Sequence, residues 1–427
     1  MNGGLSMVEM KSGYKMTEVG VIPEDWEVCE LRNHLVLLTD YDANGSFADM
    51  ASNVVTTTGN GYAWYVRATD LEQQSSLSEV KYVDEKSYRF LRKSTLYGGE
   101  VLLAKRGEIG KVYYFQMKTK RATLAPNLYL LKLKDTINSY FLFSLFKSTF
   151  GQNLLKSINA STSLGAIYKD DVKGLNILIP PFEEQASIAT ALSDVDSLIS
   201  ALTKKIEKKK AIKQGLMQQL LTGKKRLPEF GEKWVEIELG QHSIMNSGGT
   251  PSTANPEYYG GKIPFLSIND ITNAGKFIYE TEKTITEEGL KNSSARLFKK
   301  GTIMYAMYAS VGKCAITKIR ISCSQAILGI NVDSTLDADF LYYYLVSIQD
   351  DVLNYGQTGT QTNLSKQIIS SFILNVPSSK AEQTAIANIL SDCDSEIAAL
   401  EEKRDKYKEI KQGMMQQLLT GKIRLIK

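Results

Sequence analysis

The residues best placed to do chemistry in this chain are hydrogen-bond donors in short polar loops. Lys105, Arg106 and Lys111 lie in KRGEIGK, whose glycines predict a hairpin, and the comparable stretch YASVGK ends at Lys313. Two small polar clusters come later. One is NASTSLG with Ser161, Thr162 and Ser163; the other is GQTGTQTNLS with Thr358, Thr360, Gln361 and Asn363. Arg67 in AWYVRATDL and Ser267 and Asn269 in KIPFLSINDI complete the set. Lys and Arg suit phosphates, while hydroxyl and amide groups suit both phosphates and base edges. The chemistry they predict is DNA contact, although ordinary polar surface loops carry the same residue types.

Signatures of catalysis are missing. A methyltransferase acting on an amine needs an Asn/Asp-Pro-Pro-aromatic loop and a glycine-rich cofactor loop, and neither is present; NPEYY at Asn255 is no substitute. GEIGK and ASVGK lack the spacing of a phosphate-binding loop. The two histidines, His34 and His242, stand in what read as unrelated contexts and are taken as structural. No nuclease carboxylate pattern stands out. Two alternatives stay open: a self-contained DNA methyltransferase or nuclease, and a coiled-coil scaffold that binds only protein.

The bulk numbers permit nucleic-acid binding without demanding it. A net charge of +4 over 427 residues is mildly basic. Four isolated cysteines, Cys29, Cys314, Cys323 and Cys393, form no CxxC pair, so neither a zinc site nor a disulfide framework is expected. No apolar run reaches the ~20 residues of a membrane span. A cytoplasmic protein with a flexible leader over 1–13 is the expectation.

What must position the polar loops emerges from an internal repeat. The stretch beginning EQASIATALSDVDS at Glu184 aligns without a gap to EQTAIANILSDCDS at Glu382, an offset of 198 held over 44 residues with two-thirds identity. Weaker matches flank it, IPEDWEVCEL with LPEFGEKWVEIEL and LNILIPPFEEQ with FILNVPSSKAEQ. Between these landmarks the halves differ strongly. Two unlike readers on one repeated spacer fit this pattern better than uniform drift after duplication.

Within the repeat, Ile188, Leu192, Val195, Ile199, Leu202 and Ile206 recur mostly in steps of four and three, and Ile386, Leu390, Cys393, Ile397 and Leu400 do the same. That is the seam of a coiled coil. Pro180 and Pro181 mark a start, and Gly223 and Gly421 mark stops. A helix of about 39 residues is roughly 58 Å long, or about 17 base pairs at ~3.4 Å each. Arg404 stands in the place of Ile206, which predicts a wet or splayed middle. The basic run Lys204–Lys213 reads first as a solvated helix face, second as a phosphate or acidic-partner contact. GLMQQLLTGK recurs as GMMQQLLTGK, and the doubled mid-helix glycine suggests close helix approach, within the pair or to another subunit. Gly215, Met217, Gln218, Gly413, Met415 and Gln416 are the docking candidates.

The fold class expected is α+β: two globular recognition domains separated by two long antiparallel coiled-coil helices in a pseudo-twofold repeat. The divisions are a leader over 1–13, a first recognition domain over 14–180, a spacer helix over 181–224, a second domain over 225–377 and a second spacer helix over 378–427. Each domain should be mostly strands and turns closed by one helix, near Asn138 and near Ala338.

In this order, VIPEDWEVCEL, NSGGTPSTANPEYYGGKIPFLSINDI, the GxxGK strand pair, PPFEEQ and the doubled LLTGK closely resemble the specificity subunit of type I restriction–modification enzymes. The resemblance covers nearly the whole chain. It implies two target-recognition domains that each read half of a split, asymmetric DNA site. It also implies helices that act as a ruler and dock two modification (methyltransferase) subunits, with restriction (translocase/nuclease) subunits joining to make the nuclease. S-adenosylmethionine, ATP and magnesium would belong to those partners, and this chain would hold no cofactor and no metal. The first domain lacks a copy of the SGGTPS opening, and its STSLG lacks the glutamine of TGTQTN.

Overall fold

The computed structural model describes residues 12–73, 75–107, 109–159, 165–355 and 363–425. It divides into two compact units, residues 1–202 with 403–427, and residues 203–402. Each unit holds one globular head and segments of both long helices, Phe182–Leu220 and Lys380–Leu418, each of 39 residues. The helices begin and end where the prolines and glycines place them. Gly223 and Gly421 adopt φ of +69° and +70°, the left-handed geometry that ends a helix at little cost only for glycine.

The two heads share one strand order. In the first, an antiparallel sheet runs Val112–Tyr114, Val101–Ala104, Leu128–Leu133, Leu35–Asp40. In the second, the same places are taken by Cys314–Thr317, Ile303–Ala306, Ile327–Val332 and Ser243–Ser247, with Phe277–Ile278 added at one edge. A second sheet in each head contains one parallel pair, Ala63–Val66 beside Ala122–Leu124 and Tyr259–Leu266 beside Ile321–Cys323.

The central strands VLLA and IMYA are buried throughout, so they lack the alternation of a half-exposed strand. Successive side chains instead enter different cores. Val101 and Leu103 join the core that includes the long helices, whereas Leu102 packs with Trp64, Phe115 and Leu130. Ile303 and Tyr305 face the helices, and Met304 packs with Leu266, Phe298 and Ala315.

Both units clamp their helix segments antiparallel. In the first, Ile188 and Leu192 share a core with Met415, Leu418 and Leu419, while Asp196 pairs with Lys411 at 2.7 Å. In the second, Ile386 and Leu390 share a core with Leu220 and Leu221, while Asp394 pairs with Lys213 at 2.5 Å. The basic run is met by acids on the second helix: Lys210 lies 2.7 Å from Glu401, and Lys209 pairs with Glu396. It is therefore an interhelical charge seam rather than a simple solvated face. In the second unit Ile206 is 3% exposed, and in the first unit Arg404 pairs with Asp405.

Each head ends in two helices where the sequence reading had one. Ser139–Lys147 breaks at Ser148, whose hydroxyl accepts from Gly151 N and starts Thr149–Ser157. A Cβ on Gly151 would sit 2.1 Å from Leu145 O, so only glycine permits this turn. In the second head, Ala338–Ser347 is followed by Gln349–Tyr355.

Candidate nucleic-acid interface

The hairpin tip that follows the central strand, Val101–Ala104 or Ile303–Ala306, is built alike in both heads. Ala104 N donates to Lys111 O, and Ala306 N donates to Lys313 O. Lys105 O accepts from Ile167 N, and Met307 O accepts from Leu364 N. Gln152 donates to Gly110 O at 2.8 Å, and Gln349 donates to Val311 O at 3.2 Å. Lys105, Arg106, Gly107 and Lys111 therefore correspond to Met307, Tyr308, Ala309 and Lys313. Gly165, which follows the first polar cluster in the chain, accepts from Gly107 N, and Arg106 bridges Ala166.

The basic residues of the first tip have different duties. Lys105 Nζ lies 2.9 Å from Asp40 and 2.6 Å from Asp42, and Lys169 reaches the other oxygen of Asp40 at 2.8 Å. Both lysines stand over the ring of Tyr129. Burial alone would raise the Asp40 pKa, but Lys169 and Lys105 outweigh it and hold the carboxyl below its ordinary value. Desolvation likewise opposes the Lys105 charge, and Asp42 and Asp40 overcome it. Lys111 pairs with Glu72 at 2.9 Å. Arg106 is exposed with no side-chain partner among the described residues.

Arg67 and Ser267 occupy one equivalent place, the cap of a short helix after a buried strand. Arg67 forks onto Asp70 at 2.5 and 3.1 Å, and Ser267 closes a capping box with Asp270 at 2.6 Å. Asn269, Lys313 and Asn363 are exposed. Asn269 accepts from Asn273, and Lys313 has no side-chain partner among the described residues. Ser161, Thr162, Ser163, Thr358, Thr360 and Gln361 lie outside the described residues.

At the docking candidates, a Cβ on Gly215 or Gly413 would meet nothing within 4 Å. Packing inside the chain therefore does not require these glycines. Gln218 and Gln416 are exposed, Met217 is half-buried beside Thr222 and Asp350 in a groove, and Met415 is buried in the first core.

Sequence reasoning missed what the repeated motifs do. Glu184 and Glu382 are fully buried carboxylates. Arg424 binds Glu184 through two nitrogens at 2.8 and 2.7 Å, and Trp26 Nε1 donates at 3.0 Å. Arg226 binds Glu382 at 2.7 and 2.8 Å beside Trp234. Thus the Trp, the EQ and the Arg of LTGKxRL form one lock per unit. The adjacent glutamines bind backbone: Gln185 accepts from Asn138 N and Gln383 from Asp337 N, at 2.9 and 2.8 Å. Their recurrence at one offset was the available signal. The histidines also prove equivalent rather than unrelated: His34 bonds Thr136 at 2.9 Å, and His242 bonds Thr335 at 3.1 Å. Among the described residues no group of three His, Cys, Asp or Glu is placed to hold a metal, and no helix is long and apolar enough to cross a membrane.

The type I restriction modification DNA specificity domain matches this chain twice, over residues 23–214 and 231–412. The chain belongs to that family. Each match spans one head and most of the long helix that follows it, so the family unit coincides with the internal repeat. A putative type I restriction enzyme MjaX specificity subunit from Methanocaldococcus jannaschii is 28% identical, across 97% of each chain. The HindI specificity subunit of Haemophilus influenzae is 28% identical over 46% of this chain and 42% of its own. Among solved structures, the type I restriction–modification S subunit from M. genitalium has the same fold, with a TM-score of 0.62 at 16% identity, covering 92% of this chain and 96% of that one. As a specificity-domain protein, the chain is a component that assembles with other restriction–modification subunits on DNA.

Proposed function

We propose that this chain is the sequence-reading, non-catalytic subunit of a type I restriction–modification complex. Each head reads one half of a bipartite, asymmetric site, and the long helices set the distance between the halves. The observation that carries this is the pair of hairpin tips. One strand order and one set of backbone bonds present Lys105 and Arg106 in the first head but Met307 and Tyr308 in the second. Like scaffolds with unlike tips suit two unlike half-sites.

Arg106, Lys313, Asn269 and Asn363 are the exposed donors proposed to meet DNA, together with the hydroxyl and amide residues Ser161, Thr162, Ser163, Thr358, Thr360 and Gln361. Lys105, Lys111, Arg67 and Ser267 shape the surface through their carboxylate partners. Two modification subunits dock on the helices around Gly215, Gln218, Gly413 and Gln416, where the surface is open. Restriction subunits complete the nuclease. S-adenosylmethionine, ATP and magnesium bind those partners, in the cytoplasm.

Long-read methylation mapping of DNA treated with this chain and its modification subunit tests the reading. One bipartite sequence should be methylated. Replacing residues 14–180 by another head should change one half alone. Four residues, about one turn, inserted in the first long helix should lengthen the unread gap. Methylation by the isolated chain would overturn the reading.

A further inference from the structure

The second tip carries a feature absent from the first. Ala309 has φ +53° where Gly107 has +90°. An L-residue with a side chain is disfavoured in this left-handed region. The surroundings hold it in place. Ser310 Oγ is 2.8 Å from Thr272 Oγ1 on the short helix Ile268–Asn273. Gly312 N donates to Ala306 O, and Gln349 and Leu364 secure the two flanks. The strained alanine narrows the conformations of the tip far more than glycine would.

What this braced tip presents is Tyr308, an aromatic side chain left 39% exposed, whose hydroxyl has no partner among the described residues. Its counterpart is the exposed guanidinium of Arg106, which has no side-chain partner among the described residues. A forked guanidinium matches the two acceptors of guanine, whereas an apolar ring face matches the methyl group that distinguishes thymine. We propose that Tyr308 is the base-reading residue of the second head, its ring set against a thymine methyl group, at the place where Arg106 reads a guanine for the first head. This rests on the DNA-reading function proposed above.

The test uses the complex of this chain with its modification subunit, and duplexes randomised one base pair at a time in either half-site. Tyr308→Ala relaxes one thymine preference in the second half-site by about tenfold or more and leaves the first half-site preferences as they were. Arg106→Ala does the reverse, at a guanine. Tyr308→Phe keeps the preference, and Ala309→Gly weakens it by loosening the tip. Uracil in place of that thymine removes only the methyl group; it slows the native complex and leaves Tyr308→Ala unchanged. A second half-site preference unaltered by Tyr308→Ala, or one that contains no thymine, overturns the assignment while leaving a split site intact. A native complex with no two-part preference overturns both.

Discussion

Tyr140 donates its phenolic hydrogen to Asp196 Oδ2 over 2.5 Å, joining the first head to the first long helix. Lys411, from the second long helix, lies 2.7 Å from both oxygens of the same carboxylate. In the second unit Tyr343, Asp394 and Lys213 repeat the arrangement. The two tyrosines are not at matching positions. Tyr140 is the second residue of its helix and Tyr343 the sixth, yet both reach aspartates 198 residues apart in the repeat. A hydrogen bond to a charged group contributes about 1.5–3 kcal/mol, and these carboxylates are about a third exposed, which weakens it. Tyr140→Phe should therefore lower the urea stability of the first unit by about 1–2 kcal/mol, and Tyr343→Phe that of the second. Loss of both effects in a Lys411→Met, Lys213→Met background would show that the tyrosines depend on the lysines.

The buried locks should be far less forgiving. Among the described residues, Arg424→Ala leaves Glu184 as a buried charge held only by Trp26 Nε1 and Leu425 N. Removing one partner of a buried pair costs about 3–5 kcal/mol. Arg424→Lys should recover little, because an ammonium cannot supply the forked geometry. Differential scanning calorimetry should show one unit melting early, and Arg226→Ala should do the same to the other.

Asp40 separates bracing from reading. Its carboxyl is held below the ordinary range, so the folded state binds protons there less readily than the unfolded chain. The stabilisation is present above about pH 4 and is lost as pH falls through the depressed value. Asp40→Asn should flatten that part of the acid unfolding curve. Lys105→Met, the residue of the second head, should destabilise the first head while leaving the salt dependence of DNA binding unchanged. Arg106→Ala should do the opposite, leaving the stability of the head unchanged and relaxing one guanine preference by about tenfold.

Alkaline conditions should act in the reverse sense. Burial pushes the thiols of Cys314 and Cys323 up to about 12, and burial together with Asp196 or Asp394 raises Tyr140 and Tyr343. The folded state then keeps protons that the unfolded chain releases, so stability is full below about pH 9 and falls as pH rises above it. In the native protein at pH 8, iodoacetamide followed by mass spectrometry should label Cys29 and Cys393 well before Cys314 and Cys323. Equal labelling of all four would contradict the buried positions.

The helices were legible because their determinants are local: a four-and-three spacing, prolines before, glycines after. The α+β class was legible from short apolar runs between turn residues. Sheet order was not, since Ala63–Val66 lies beside Ala122–Leu124 through a pairing no local pattern announces. Nor was the fate of the charges. Lys105 reads as a free donor until Asp40, 65 residues away, comes to meet it, and the basic run Lys204–Lys213 reads as solvated until the acids of the second helix face it. The break at Ser148 escaped because a capping serine inside an apolar stretch looks like any other helix residue. The equivalence of Arg106 and Tyr308 was hidden for a related reason: backbone bonds define it, and the side chains share nothing.

The clasp of Arg424 on Glu184 also bears on how the chain is made. The first head leaves the ribosome early, but Met415, Leu418, Leu419 and Arg424, which finish its core and neutralise its buried acid, are translated only after the second unit. The second unit, contained within residues 203–402, has all its parts before then. The order of synthesis and the order of completion are therefore opposite, and the nascent first head must wait, with an open apolar face, until the whole second unit has been made.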